Sequence, residues 1–194
     1  MKSKTLLLVA ILIPFSSAAF SQQQQQLGAT VAGLTAGVGA RPQLALLKTA
    51  IPAEPPAAVA AAEREAFDLL NAQRIAKGLA ELVWNEQVAE IARHHSQNMA
   101  RDNFFSHQDL DGLLVNDRAD RAGLSDWSAI GENIAFIRGF KEPCEMAVEN
   151  WMHSAGHREN LLNARWKESA VGVAIAPDGT YYFTQVFIVR TTSR

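Results

Sequence analysis

Two strands near the C-terminus dictate the layering of this chain. Val171, Val173 and Ile175 alternate with Gly172, Ala174 and Ala176, and Asp178-Gly179 then turns the chain into Tyr181–Arg190. Alternation on both sides of an Asp-Gly pair is the pattern of a β-hairpin, because this dipeptide tolerates the positive φ that tight hairpin turns need. In the second strand Phe183, Phe187 and Val189 share one face, and Tyr182, Val186 and Ile188 share the other. A strand apolar on both faces has to be covered on both. Helical segments precede the hairpin, so the expected fold class is α+β, a three-layer α-β-α sandwich around a small antiparallel sheet.

The covering helices can be read from apolar spacing. After Pro55 and Pro56, residues 57–77 carry Ala62, Ala66, Leu69, Leu70 and Gln73 at helical intervals, with Gly78 as the C-terminal stop. Asn85 is placed to cap a second helix, whose stripe is Val88, Ile91, Ala92, His95 and Met99. A histidine on such a stripe reads as a hydrogen-bonded core residue. Residues 113–123 predict a short third helix whose Asp and Arg pairs read as a solvated face. A fourth opens at Pro143, carries Cys144, Ala147, Val148, Trp151 and Ala155 inward, and is expected to end with Gly156 in the left-handed conformation. Cys144 is therefore a small core residue and not a nucleophile.

The first part of the chain has another character. Lys2 and Lys4 precede the apolar run 6–15, and Ala18, Ala19 and Ser21 follow, which is the order of a secretory signal peptide. The run is too short to span a bilayer. A leader over 1–21 predicts a secreted or periplasmic protein. Residues 22–60 begin with five glutamines, continue rich in Ala, Gly, Thr and Pro, and read as a low-complexity linker to a domain over 61–190. Loss of Lys2 and Lys4 from 18 basic side chains leaves 16 against 20 acidic ones, moving the net charge from −2 to −4. That balance argues against nucleic acid or an anionic membrane as partner. With one cysteine there is no internal disulfide, so a non-covalent core must suffice, and a monomer is expected. About 130 folded residues bury roughly two thirds of their unfolded surface, which is enough.

Chemistry-bearing residues gather around Trp151-Met152-His153-Ser154-Ala155-Gly156-His157-Arg158 with Asn160, Leu161 and Leu162. Their companions are Phe105-Ser106-His107 and Gly131-Glu132-Asn133, each in a loop-like context between predicted helices. Together with Leu69-Leu70-Asn71 and Arg74, Leu82-Val83-Trp84-Asn85, and Thr184-Gln185-Val186-Phe187, these motifs resemble the CAP superfamily of SCP-like extracellular proteins. The bacterial branch fits best, and the resemblance covers about residues 61–190. It implies an α-β-α sandwich with a central cleft, export, and a polar cluster able to hold Zn²⁺ or another divalent cation. Of the eukaryotic two-histidine, two-glutamate pattern, His107 and Glu132 match. Ser154 stands at the second glutamate position and Tyr182 at the strand histidine, while His157 is supplied as in the bacterial branch. By this resemblance the cleft residues are His107, Glu132, Asn133, Ser154, His157 and Tyr182, and the metal candidates are His107, Glu132 and His157.

Two imidazoles and a carboxylate with an open position form the ligand set of a catalytic zinc site. The same three groups also suit a hydrogen-bonded brace that pins loops together without metal. Ser154, His157 and Glu132 have the residue types of a nucleophilic triad, yet no Gly-x-Ser-x-Gly elbow surrounds Ser154. No catalytic residue is assigned, Ser154 and Tyr182 being the candidates, and Asn133 and Asn160 are expected to hold backbone through their amides. His153 and His157, four apart, would share a face only if the helix ran through Gly156. The expected function is a binding module for a lipid, peptide or cell-wall ligand. The alternatives are a metal-assisted hydrolase using His107, Glu132 and His157, and a structural protein.

Overall fold

The computed structural model describes residues 5–7 and 55–191. Its elements in order are β1 (Thr5–Leu7), α1 (Ala57–Ala76), β2 (Val83–Trp84), α2 (Glu86–Asp102), α3 (Val115–Arg121), β3 (Trp127–Ile137), α4 (Pro143–His153), α5 (Ala155–Leu161), β4 (Glu168–Ile175) and β5 (Tyr181–Arg190). The glutamine tract and most of the predicted leader and linker lie outside the described residues. Residues 57–60 of the predicted linker are helical, because the alanine-rich run after Pro56 has no glycine or second proline to stop it.

One sheet runs through the domain in the order β1-β3-β5-β4-β2. The hairpin β4–β5 forms around Gly179 at φ 81°, with Val171 opposite Gln185 and Ala174 opposite Tyr182. β3 adds antiparallel to β5, with Glu132 opposite Val186. The two outer strands are parallel to their neighbours, so only the central three follow the antiparallel expectation. β1 falls inside the predicted leader and pairs with Ala129–Gly131 of β3 through Thr5, Leu6 and Leu7.

The two faces of β5 are covered as its sequence demands. Phe183 and Phe187 pack with Ala66 and Leu70 of α1, Ala147 and Trp151 of α4, and Leu161 of α5. Val186 and Ile188 pack with Val88, Ile91 and Ala92 of α2 and Val115 and Ala119 of α3. The result is the α-β-α sandwich. Each fully buried Phe, Val or Ile contributes about 1.5–3 kcal/mol. Cys144 is buried, donates to the Ala62 carbonyl at 3.5 Å, and its thiol is pushed up to about 12 by burial, so it is a core side chain.

The helix α2 sits unusually close to β4. A Cβ at Gly172 would lie 2.0 Å from the Arg93 backbone nitrogen, and Ser96 Oγ donates to the Gly172 carbonyl at 2.9 Å. Asn85 caps this helix by accepting from the Val88 amide at 3.1 Å. Its other end stops at Asn103, whose left-handed φ of 52° turns the chain out of the helix toward His107.

Candidate functional site

The site grows from the way α2 ends. His95, on the buried stripe of α2, bonds through Nε2 to the Ser106 carbonyl at 2.9 Å and so ties the following loop back to the helix. A carbonyl only accepts, so Nε2 carries the proton and Nδ1 is left as an acceptor. That anchor places His107 one residue on, where its Nδ1 meets Glu132 Oε1 at 2.7 Å. Burial pushes the His95 imidazolium down, which keeps the ring neutral.

Glu132 lies in the middle of β3, not in a loop. Gly131-Glu132-Asn133 carries the alternation of a strand buried on both sides, and its polar members hid that pattern in the sequence. The Glu132 side chain is 1% exposed, and a lone carboxylate there would be very costly. Its second oxygen accepts from Arg118 Nη2. Burial pushes the Glu132 carboxyl up, but the Arg118 charge and the His107 hydrogen bond more than offset this and hold it below the usual carboxylate range.

Arg118 is the residue that sequence reasoning missed. In sequence it reads as one of the Asp and Arg pairs of a solvated face, yet its side chain is 6% exposed and its Nη1 also donates to the His107 and Leu113 carbonyls, each at 2.9 Å. The signal was present in spacing: Val115, Arg118 and Ala119 are the buried positions of α3, so the arginine sits on the apolar stripe.

On the other side of β3, α4 ends at His153 and the chain passes through Ser154 in extended conformation before α5 begins. Gly156 is therefore inside a second helix and does not terminate the first. The break is held from outside: Asn133 Nδ2 donates to the His157 carbonyl at 3.2 Å, and Asn160 Nδ2 donates to the Glu132 carbonyl at 3.2 Å. Trp151 Nε1 takes the Ile134 carbonyl at 3.0 Å, so this stretch of β3 is stitched to both helices. His157 shares a hydrogen bond of 2.9 Å between Nδ1 and Ser154 Oγ, and it does not bond to Glu132. Burial, with a smaller effect of the His107 charge, pulls the His157 imidazole down to about 4. Exposed His153 bonds the Glu149 carbonyl at 3.0 Å.

A histidine with a lowered native pKa stays unprotonated while its unfolded counterpart charges. Stability that is full above pH 6.5 should therefore fall as the pH drops toward 4. In an NMR titration the His157 ring should move near pH 4, and a midpoint near 6.5 would show that it is not desolvated.

Tyr182 is displaced from this group. It pairs with Phe136, four residues along β3 from Glu132 or about 13 Å, and packs on Met99 and Ile134. His107, Glu132 and Arg118 are thus one bonded cluster, Ser154 and His157 a second beside it, and Tyr182 belongs to a neighbouring aromatic patch with Phe136 and Phe105.

Comparison with known proteins decides what this arrangement is. The cysteine-rich secretory protein family, CAP, matches residues 67–187. The chain belongs to the CAP family. Similar proteins include the uncharacterized membrane protein YlbC of Bacillus subtilis, 40% identical over 66% of this chain and 34% of that protein, and the uncharacterized protein YkwD of the same organism, 37% identical over 73% of this chain and 52% of that one. The chain spans between a third and about half of these relatives. An extracellular SCP-domain protein of Bacillus anthracis superposes with a TM-score of 0.58 at 32% identity, covering 68% of this chain and 41% of the other. No helix among the described residues is long and apolar enough to cross a membrane.

The CAP resemblance brought with it a divalent cation on His107, Glu132 and His157, and the donor set can be tested for it. Both Glu132 oxygens are engaged, one by a guanidinium, and His157 turns Nδ1 to Ser154. Among the described residues no three His, Cys, Asp or Glu side chains are grouped to hold a metal ion. As arranged, these residues do not fit the ion.

Proposed function

We propose that this CAP domain is exported through its N-terminal leader and acts as a binding module, whose cleft takes a lipid, a peptide or a cell-wall fragment. The observation that carries this reading is the state of Glu132. A carboxylate bonded on both oxygens and sealed from solvent braces the chain around it and is not open to a reacting group. What faces outward instead is suited to contact. Phe105 and Phe136, 46% and 42% exposed, meet edge to face at 5.0 Å two residues from His107. The order of charged, apolar and small residues in 1–21 and the extracellular relative support export.

The test is capture of lipid vesicles, peptides or envelope fragments by the purified chain. Binding is expected to weaken at least about tenfold in Phe105→Ala/Phe136→Ala, the loss of two aromatic contacts. Retention of none of these materials above background sinks the reading.

One contact favours hydrolysis: Ser154 Oγ and His157 Nδ1 stand at nucleophile-to-base distance. Against it, among the described residues no carboxylate bonds to His157, and an imidazole at about 4 is a weak base near neutrality. Peptide and ester substrates are expected to show no turnover. Turnover that disappears in Ser154→Ala would establish the enzymatic reading in its place.

A further inference from the structure

We infer that Arg118 stands in the place of the metal ion, as a covalently tethered cation that closes the Glu132 site. Three observations meet here. A buried carboxylate needs a positive partner, and the guanidinium supplies one while also bonding two backbone carbonyls, His107 and Leu113, so that it is ringed by oxygen as a bound cation is. The loop that delivers those carbonyls is itself built for the purpose: Asp109 Oδ1 accepts from the Asp111 and Leu113 amides at 3.0 and 2.8 Å, and Asp117 Oδ2 accepts from the Leu114 amide at 3.0 Å as α3 begins.

The third observation is a pair of unsatisfied atoms. His95 Nδ1, an acceptor, and Arg118 Nε, a donor, are buried without a hydrogen-bond partner, although such atoms are nearly always paired. His95 is fully buried, senses the charges of both Glu132 and Arg118, and has its other nitrogen held by a backbone carbonyl. A bare ring nitrogen backed by an N–H to carbonyl bond is the arrangement of a metal-ligating histidine. Glu132 and His107 are bonded to each other, the guanidinium is bonded to Glu132 and to the His107 carbonyl, and His95, which senses both charges, adds an unpaired nitrogen nearby. A guanidinium is charged at every accessible pH and cannot be chelated away. The cleft of this protein is accordingly neutralised from within and indifferent to metal supply.

The experiment is a zinc titration by calorimetry on the full chain in chelator-stripped buffer, with Arg118→Met, Arg118→Met/His107→Ala and Glu132→Gln in parallel. The parent is expected to show no site tighter than about millimolar, and Arg118→Met to gain a one-to-one site at least about tenfold tighter, lost again when His107 is removed. A one-to-one zinc site in the parent that vanishes in Glu132→Gln overturns the inference, as does a folded Arg118→Met variant that takes no zinc. If Arg118→Met does not fold alone, circular dichroism with and without zinc decides. Refolding on zinc sustains the inference, and an unchanged unfolded spectrum overturns it.

Discussion

Replacing Glu132 with alanine is expected to destabilise the domain by about 3–5 kcal/mol, because it leaves the Arg118 charge buried with no counter-ion and removes the acceptor of His107. For a domain of this size that is a fall in melting temperature of roughly 10–20 °C. The substitution also erases a pH dependence whose sign is fixed. The native Glu132 carboxyl lies below its ordinary 4.5, so the unfolded chain takes up this proton first on acidification. Its stabilisation is complete above pH 4.5 and is lost as the pH falls through the lower native value. The parent should therefore lose melting temperature below pH 4.5 more steeply than Glu132→Ala. Replacing both partners, as in Glu132→Leu/Arg118→Met, should cost less than Glu132→Ala alone, since no charge is then stranded. A melting curve unchanged in Glu132→Ala would mean that the cluster contributes nothing to the fold.

The second large effect is expected at a residue with no side chain. At Gly172, an added Cβ would lie 2.0 Å from the Arg93 nitrogen, 2.3 Å from the Ala92 carbonyl carbon and 2.4 Å from Arg93 Cα. These are backbone atoms in the middle of a helix, so no rotamer change relieves them, and α2 has to move away from β4. Gly172→Ala is expected to cost roughly 3 kcal/mol or more, beyond an ordinary overpacking change. Chemical denaturation measures it directly. Because α2 carries His95 and aims the loop to His107, the variant should also shift the His107 NMR signals. A loss below about 1 kcal/mol with those signals in place would show that the helix and sheet yield without consequence.

Both effects follow from one arrangement. The sheet holds Glu132 still, α2 and its loop bring His107 from one side, α3 brings Arg118, and the Asn133–Asn160 amides clamp α5 against the same strand, Asn160 Nδ2 meeting Asn133 Oδ1 at 3.1 Å. Such a cluster is well made for presenting a fixed surface.

Sequence alone determined the layering and most of the helices. Two-faced apolarity in Tyr181–Arg190 required cover on both sides, Asp178-Gly179 required a hairpin, and Asn85 and Gly78 marked helix ends, because each of these is a local demand of period, φ or an unpaired amide. The motifs likewise brought His107 and Glu132 together as one site. Tertiary structure decided the rest. Gly131-Glu132-Asn133 is a strand because neighbours on both faces satisfy its polar side chains. The helix before Gly156 breaks at Ser154 because α5 is tied to β3, Asn133 of the strand donating to the His157 carbonyl and Asn160 of the helix donating to the Glu132 carbonyl. Arg118 belongs to the site because Glu132, 14 residues away, is buried beside it. A spacing pattern shows that a charge lies on an apolar stripe, but it cannot show which opposite charge awaits it there, and at low dielectric that partner decides whether the residue is surface, brace or site.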